Sequence, residues 1–310
     1  MLRQRLLVSV LLIPSLVGLL AWDHHLGEAA PVLLVLVVLL TLRSAWELAL
    51  LQRHRGLYSA WPLAGVAAAA LVLAGWSPAA WGDHIAPLMD QTEPLERVAV
   101  VFTVEVLLLL FIGALRFREP GQSLTGLGAE LLVIVYTGFL LAVTAQLRWT
   151  PGAGAGYLAL GSLVVAAKLG DTGAYTLGKL FGRRKLSPRL SPGKTWMGAW
   201  GAVLGASLGA CLWLQLAAPA FQVNGTPCHA PGWAWAALYG ALIGVSGLIG
   251  DLCESLMKRD AEVKDSASLL PGMGGVLDLL DSILYAGPVA WLCWTCWLSR
   301  LVTTVGVDAG

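Results

Sequence analysis

Apolar residues fill this chain in long runs broken by short polar stretches. They do not recur every second position, or every third and fourth, as in water-soluble strands and helices. A run of about 18 or more apolar residues reads as a membrane-crossing helix, because in lipid the backbone must satisfy its own hydrogen bonds. The pattern predicts nine spans, roughly 6 to 22, 30 to 42, 60 to 81, 98 to 115, 127 to 147, 156 to 178, 196 to 219, 232 to 250 and 283 to 305. The second is short for a span of about 20 residues, and lengthens if its helix continues through Ala45 to Leu51. The first follows Arg3 and Arg5 like a signal peptide. No small-x-small cleavage site precedes Asp23 and further spans follow, so it reads as a retained helix. The expected fold is all-α, a polytopic integral membrane protein with about nine transmembrane helices.

Composition agrees: 57% of residues are hydrophobic, 13% are charged, and the mean hydropathy is +0.73. The 36 glycines and 14 tryptophans suit closely packed membrane helices and headgroup-level anchors. Where the charges sit sharpens the topology. The N-terminus and the alternate loops near 43 to 55, 116 to 118, 179 to 194 and 251 to 282 hold 16 Lys and Arg. The opposite set holds Arg97, Arg148 and Arg300, and Lys168 lies inside a span. This positive-inside bias predicts a cytoplasmic N-terminus and cytoplasmic loops at 179–195 and 251–282. The chain accordingly divides into N-terminal transmembrane helices, 1–150, and a C-terminal region carrying both loops, 151–310. Five cysteines give no redox framework, and the Cys293-x-x-Cys296 pair falls in an apolar, Trp-rich helix. The net charge of +1 says little by itself, and no nucleic-acid partner is expected.

Candidate chemistry concentrates in those two loops. The first carries Lys168, Asp171, Lys179, Arg183, Arg184, Lys185, Arg189 and Lys194. Arg183 to Lys185 suit anionic headgroups, whereas Lys168 and Asp171 at a span end are expected to face a polar cavity. Ser191 to Thr195 reads SPGKT but is not a Walker A, because Pro188 stands where a glycine is required. Lys194 beside a glycine can still clamp phosphate. The second loop begins with Asp251 and Glu254, whose D-x-x-E spacing is compatible with a capping box. Asp251, Ser255 and Lys258 or Arg259 then share a helix face. Lys264, Asp265 and a Pro-Gly-x-Gly-Gly turn follow, and Asp278 and Asp281 stand at i, i+3 before the last span. The latter pair reads either as a solvated helix start, with Asp281 or Ser282 as N-cap, or, with Asp251, as hard oxygen ligands for Mg²⁺. Carboxylates for metal and cations for phosphate point to phosphoryl or nucleotidyl transfer at a membrane surface.

These blocks resemble the phosphatidate cytidylyltransferases, or CDP-diacylglycerol synthases. The resemblance rests on Ser255, Lys258, Arg259, Lys264, Asp265, Pro271, Gly272, Gly274, Gly275, Leu277, Asp278, Asp281 and Ser282. Two upstream segments, Gly170 to Tyr175 and Ser191 to Trp196, add to it, and the likeness covers roughly residues 160 to 300. Three positions depart from the family's pattern. Met273 stands where the family usually has His, Leu279 where it has Arg, and Met197 where it has Glu. The resemblance implies transfer of the cytidylyl group from CTP to phosphatidic acid in phospholipid biosynthesis, giving CDP-diacylglycerol and pyrophosphate. It marks Asp251, Asp278 and Asp281 as metal ligands, with Mg²⁺ and a second cation as candidate cofactors. Lys194, Ser255, Lys258, Arg259 and Lys264 would bind substrate phosphates, and Asp171 and Asp265 would serve the nucleotide site or its structure. A bacterial-type inner membrane is the implied location, with a second copy of the chain as a candidate partner.

Three other readings stay open. One is a related transferase acting on another lipid phosphate or a polyprenol, which the three departures keep in view. Another is a non-catalytic paralogue. The last is a transporter, raised by Glu105 and Glu130 within or near spans. Transport places ionisable groups near the midplane, whereas here they gather at one face.

Overall fold

A computed structural model of the protein describes residues 14–303 apart from 16, 58–59, 82–90, 119–120, 122, 153 and 268–273. Its main elements are α1 (Pro31–His54), α2 (Trp61–Ala74), α3 (Pro94–Arg116) and α4 (Ser123–Trp149), then α5 (Gly156–Phe181). An antiparallel hairpin of β1 (Lys185–Ser187) and β2 (Ser191–Thr195) follows, then α6 (Trp196–Ala217), α7 (Trp233–Asp260) and α8 (Val276–Thr303). A second two-stranded hairpin lies between α6 and α7. Among the described residues six helices, α1, α3, α4, α6, α7 and α8, are long and apolar enough to cross a membrane. The α2 helix has 14 residues, and α5 carries Lys168, Asp171 and Lys179. Most of the span expected at 6 to 22 lies outside the described residues.

The helices overrun the apolar runs that announced them, and this corrects two expectations. α7 continues unbroken to Asp260, so Asp251 and Glu254 are mid-helix residues and form no capping box. α8 starts at Val276, so neither Asp281 nor Ser282 caps it. The polar residues Asp251, Glu254, Lys258 and Arg259 end the apolar stretch without ending the helix, because Leu, Glu, Lys, Arg and Met all propagate helix well. What ends α7 is a Schellman turn. Glu262 takes a left-handed φ of 58°, Val263 N–H reaches Lys258 O at 2.9 Å, and Glu262 N–H reaches Arg259 O at 3.0 Å. At the other end of the chain α1 runs on through Leu51 to His54, the longer form of the second span.

The chain forms two compact units, Met1–Ala145 with Met257–Leu280, and Gln146–Leu256 with Asp281–Gly310. In the first, α1, α2 and α4 pack through small residues, and a side chain at Gly138 would collide with the Ala68 backbone. Polar side chains there satisfy helix ends. Arg97 donates to Ala74 O at 2.9 Å and Trp76 O at 3.0 Å beyond α2, and Glu130 accepts from Ala60 N at 3.2 Å at its start. Glu130, one of the two residues behind the transport reading, is thus engaged by a helix terminus. The other, Glu105, lies in α3, and its carboxylate oxygens have no hydrogen-bond partner among the described residues.

In the second unit α5 and α6 are pressed together along a glycine seam. A Cβ at Gly173 would strike Gly201 O, and one at Gly205 would strike Leu169 O. Gly240 and Gly244 of α7 sit equally close to the α6 backbone. The apolar core between these helices carries a buried polar network. Tyr239 and Ser162 hydroxyls lie 2.8 Å apart, and Trp294 Nε1 donates to Ser162 Oγ at 3.1 Å.

Candidate active site

Within the second unit, α7 and α8 meet at Gly250. A Cβ there would collide with Asp281 O and the Tyr285 side chain, so the bare glycine sets how close the helices come. That approach brings together the residues on either side of it. Ligand oxygens of Asp251, Glu254 and Asp281 all lie within 4.8 Å of one another. Glu254, three residues and nearly one turn after Asp251, is fully buried at 0% exposure. Cations border the group. Lys194 Nζ on β2 lies 2.8 Å from Asp251 Oδ2, and Lys168, paired with Asp171 at 3.1 Å on α5, attracts the Asp281 carboxylate while Asp251 and Asp171 repel it.

The hairpin explains why Lys194 is held there. Its strands β1 and β2 pair Lys185 with Thr195, and Thr195 Oγ1 then accepts from Gly198 N at 3.1 Å to cap α6. The SPGKT segment is thus a strand leading into a helix start, with Lys194 one residue before the cap. Met197 lies in the first turn of α6 and is 37% exposed.

Within the first unit the remaining predicted aspartate is densely bonded. Asp278 Oδ1 accepts from Lys258 Nζ at 2.7 Å, and Oδ2 accepts from Ser266 N at 2.9 Å and Gly275 N at 2.8 Å and contacts Ser266 Oγ at 2.7 Å. Lys258 and Asp278 side chains are 13% and 10% exposed, so this is a shielded ion pair. Arg259 donates to Val263 O at 3.3 Å, and Lys264 and Asp265 are exposed in the loop after α7. Ser255 is buried in α7, and Leu279 lies in α8 next to Asp278. Pro271, Gly272 and Met273 of the glycine turn lie outside the described residues.

The structure therefore brings Lys194, Asp251 and Asp281 together, and Lys258 and Asp278 together. It adds residues that sequence reasoning did not single out as functional: Glu254, whose spacing was read as a cap, Ser266, and Glu47 of α1. Glu47 carried a signal, since a carboxylate at the end of an apolar run is as costly as the Lys168 and Asp171 that drew notice. Chemically, three clustered carboxylates are hard donors suited to Mg²⁺, and a fully buried one beside two others favours a cation among them. Lysines beside them suit an anionic substrate.

Residues 3–297 match the model of the cytidylyltransferase family. The chain is 33% identical to a phosphatidate cytidylyltransferase of Pseudomonas aeruginosa over 95% of its length and 97% of that protein's. It is 34% identical to the uncharacterized protein YnbB of Escherichia coli over 67% of each chain. A phosphatidate cytidylyltransferase of Haemophilus influenzae shares 41% identity over 38% of this chain and 39% of its own.

Proposed function

Because the chain belongs to the cytidylyltransferase family, we propose that it is a CTP:phosphatidate cytidylyltransferase of a bacterial-type cytoplasmic membrane, with nine spans, a cytoplasmic N-terminus and a cytoplasmic active site. One observation carries the reading. Asp251, Glu254 and Asp281 gather with Lys194 beside them, in a chain similar from end to end to a phosphatidate cytidylyltransferase.

The phosphate of phosphatidic acid attacks the α-phosphorus of CTP. A phosphorus–oxygen bond forms there as the bond to the β-phosphate oxygen breaks, and pyrophosphate leaves with that electron pair. The nucleophile is already anionic, so no strong base is needed, and catalysis rests on positioning and charge neutralisation. Asp251, Glu254 and Asp281 would hold Mg²⁺, which when bound neutralises triphosphate oxygens. Asp278, nearly one turn before Asp281 on the same helix, is the further carboxylate that the resemblance assigns to metal. Lys194, Lys258, Arg259 and Lys264 bind phosphates of CTP or lipid, and Lys194 and Lys258 exchange their carboxylate partners for substrate oxygens when they do so. Asp171 holds Lys168. The acyl chains stay in the bilayer, so the lipid headgroup meets the nucleotide at helix ends.

Purified protein in detergent, given labelled CTP, Mg²⁺ and phosphatidic acid, should form CDP-diacylglycerol and pyrophosphate in equal amounts. A panel of other lipid phosphates belongs in the same assay. Turnover confined to one of those would replace phosphatidic acid as substrate, and no CTP consumption with any lipid would remove the transferase reading.

A further inference from the structure

Glu47 is a fully buried carboxylate on α1, and four donors converge on it. Arg43 Nε reaches Oε1 at 2.9 Å from one turn earlier, and Val276 N reaches the same oxygen at 3.0 Å. Leu277 N reaches Oε2 at 2.8 Å and Ser266 Oγ lies 3.0 Å from it. Glu47 therefore binds the first two amides of α8 and the serine that precedes the glycine turn. That serine is shared: its hydroxyl also lies 2.7 Å from Asp278 Oδ2. One hydroxyl has one proton, so Ser266 donates to Asp278 or to Glu47, and to Glu47 whenever Asp278 turns to another partner.

Gly275 shows how closely the parts are fitted. Its N–H binds Asp278, while a Cβ on it would collide with the Glu47 carboxylate and with Ser266 Oγ. The last glycine of the turn is thus required by a carboxylate more than 200 residues away in sequence, the separation of the Val276–Glu47 bond being 229.

We propose that Glu47 is a positioning residue for Asp278, acting through Ser266 and the start of α8. This deepens the cytidylyltransferase reading and rests on it for the role of Asp278. Supporting groups that orient a metal-binding carboxylate typically change affinity or activity by about 10- to 100-fold when removed.

Glu47→Gln, Ser266→Ala and Ser266→Thr in the full-length protein test the proposal. With saturating CTP and phosphatidic acid, Glu47→Gln should lower kcat by about 10- to 100-fold and raise the Mg²⁺ needed for half-activation, leaving the KM for CTP within about twofold. Ser266→Ala should show the same pattern more weakly, and Ser266→Thr, which keeps the hydroxyl, should recover most of it. Two readouts need no turnover: Mn²⁺ affinity by electron paramagnetic resonance, expected to fall in Glu47→Gln, and hydrogen exchange of the Gly275–Leu277 amides, expected to quicken. Loss of folded protein with unchanged kcat and Mn²⁺ affinity in the folded fraction would make Glu47 merely structural and overturn the proposal. Unchanged amide exchange would overturn it as well. If Glu47→Gln does not fold, the Ser266 pair decides, and equal behaviour of Ala and Thr goes against it. Failure of the wild type to consume CTP would sink the enzymatic reading instead, with amide exchange still judging Glu47.

Discussion

The carboxylates of this protein meet two opposite environments. Asp251, Glu254 and Asp281 are crowded with one another, whereas Asp278 and Glu47 are crowded with donors. Two unit charges at the 4.8 Å limit of the first group repel by roughly 3.5 kcal/mol at an effective dielectric of about 20, before solvent screening. Lys194 offsets part of that at Asp251, which is 39% exposed. In the second group each acid has at least three hydrogen bonds or an ion pair. The difference teaches that a buried carboxylate is informative through its neighbours. A group that repels itself suits a cation, and a saturated one is held in place by its donors.

The largest effect should come from neutralising the crowded group. Asp281→Asn should lower turnover by about 10³-fold. In the absence of divalent cation it should also stabilise the protein, by about 1 kcal/mol, because one source of repulsion is gone. The rise in melting temperature that Mg²⁺ gives the wild type should disappear with it. Thermal scans with and without Mg²⁺ check both. A metal-free variant less stable than the wild type would mean that Asp281 is held by donors after all, and the contrast between the groups would collapse.

A smaller and more selective effect is expected at Gly250. Adding a methyl there forces the α7 backbone away from Asp281 O, at a cost of about 1–3 kcal/mol. Gly250→Ala should therefore weaken Mn²⁺ binding and turnover by about tenfold, the lower end for disturbed ligand support. Amide exchange at Gly275–Leu277 should stay as in the wild type. Quickened exchange there would show that the two groups respond as one.

Much of this was legible from residue order. Apolar runs located the helices, the excess of Lys and Arg singled out the two loops, and Asp251, Asp281, Lys194, Lys258 and Asp278 were all named as candidates. What was not legible was the ends of helices and the partners of charges. Hydropathy marks where the lipid-facing stretch stops, and α7 runs on for ten residues past Gly250 because helix propensity does not fall with polarity. That overrun turned a supposed cap into two carboxylates on one helix face. Glu47 was missed for a different reason. Its partners Ser266, Val276 and Leu277 lie at separations of 219 to 230 residues, and no local pattern reports a pairing of that range. Gly275 carried the trace of it, as a glycine with no positive φ of its own that is nonetheless filled by a distant side chain.

The smallest effect is predicted where α1 touches the same loop from outside. Arg55 lies 3.2 Å from Glu262 and 3.7 Å from Asp260, with its side chain 44% exposed and theirs 82% and 65%. Exposed pairs of this kind contribute about 0–1 kcal/mol. The turn they decorate is already fixed by backbone bonds from Glu262 and Val263 back to α7. Arg55→Ala should therefore change stability by less than about 0.5 kcal/mol and turnover by less than about twofold, and added salt should reproduce what little it does. Arg55 is the C-cap of the helix that carries Glu47 and reaches the same loop, so the pair separates proximity from burial. If Arg55→Ala cost as much as Glu47→Gln, the support that α1 gives the loop would be general tethering, and the specific role argued for the buried carboxylate would lose its ground.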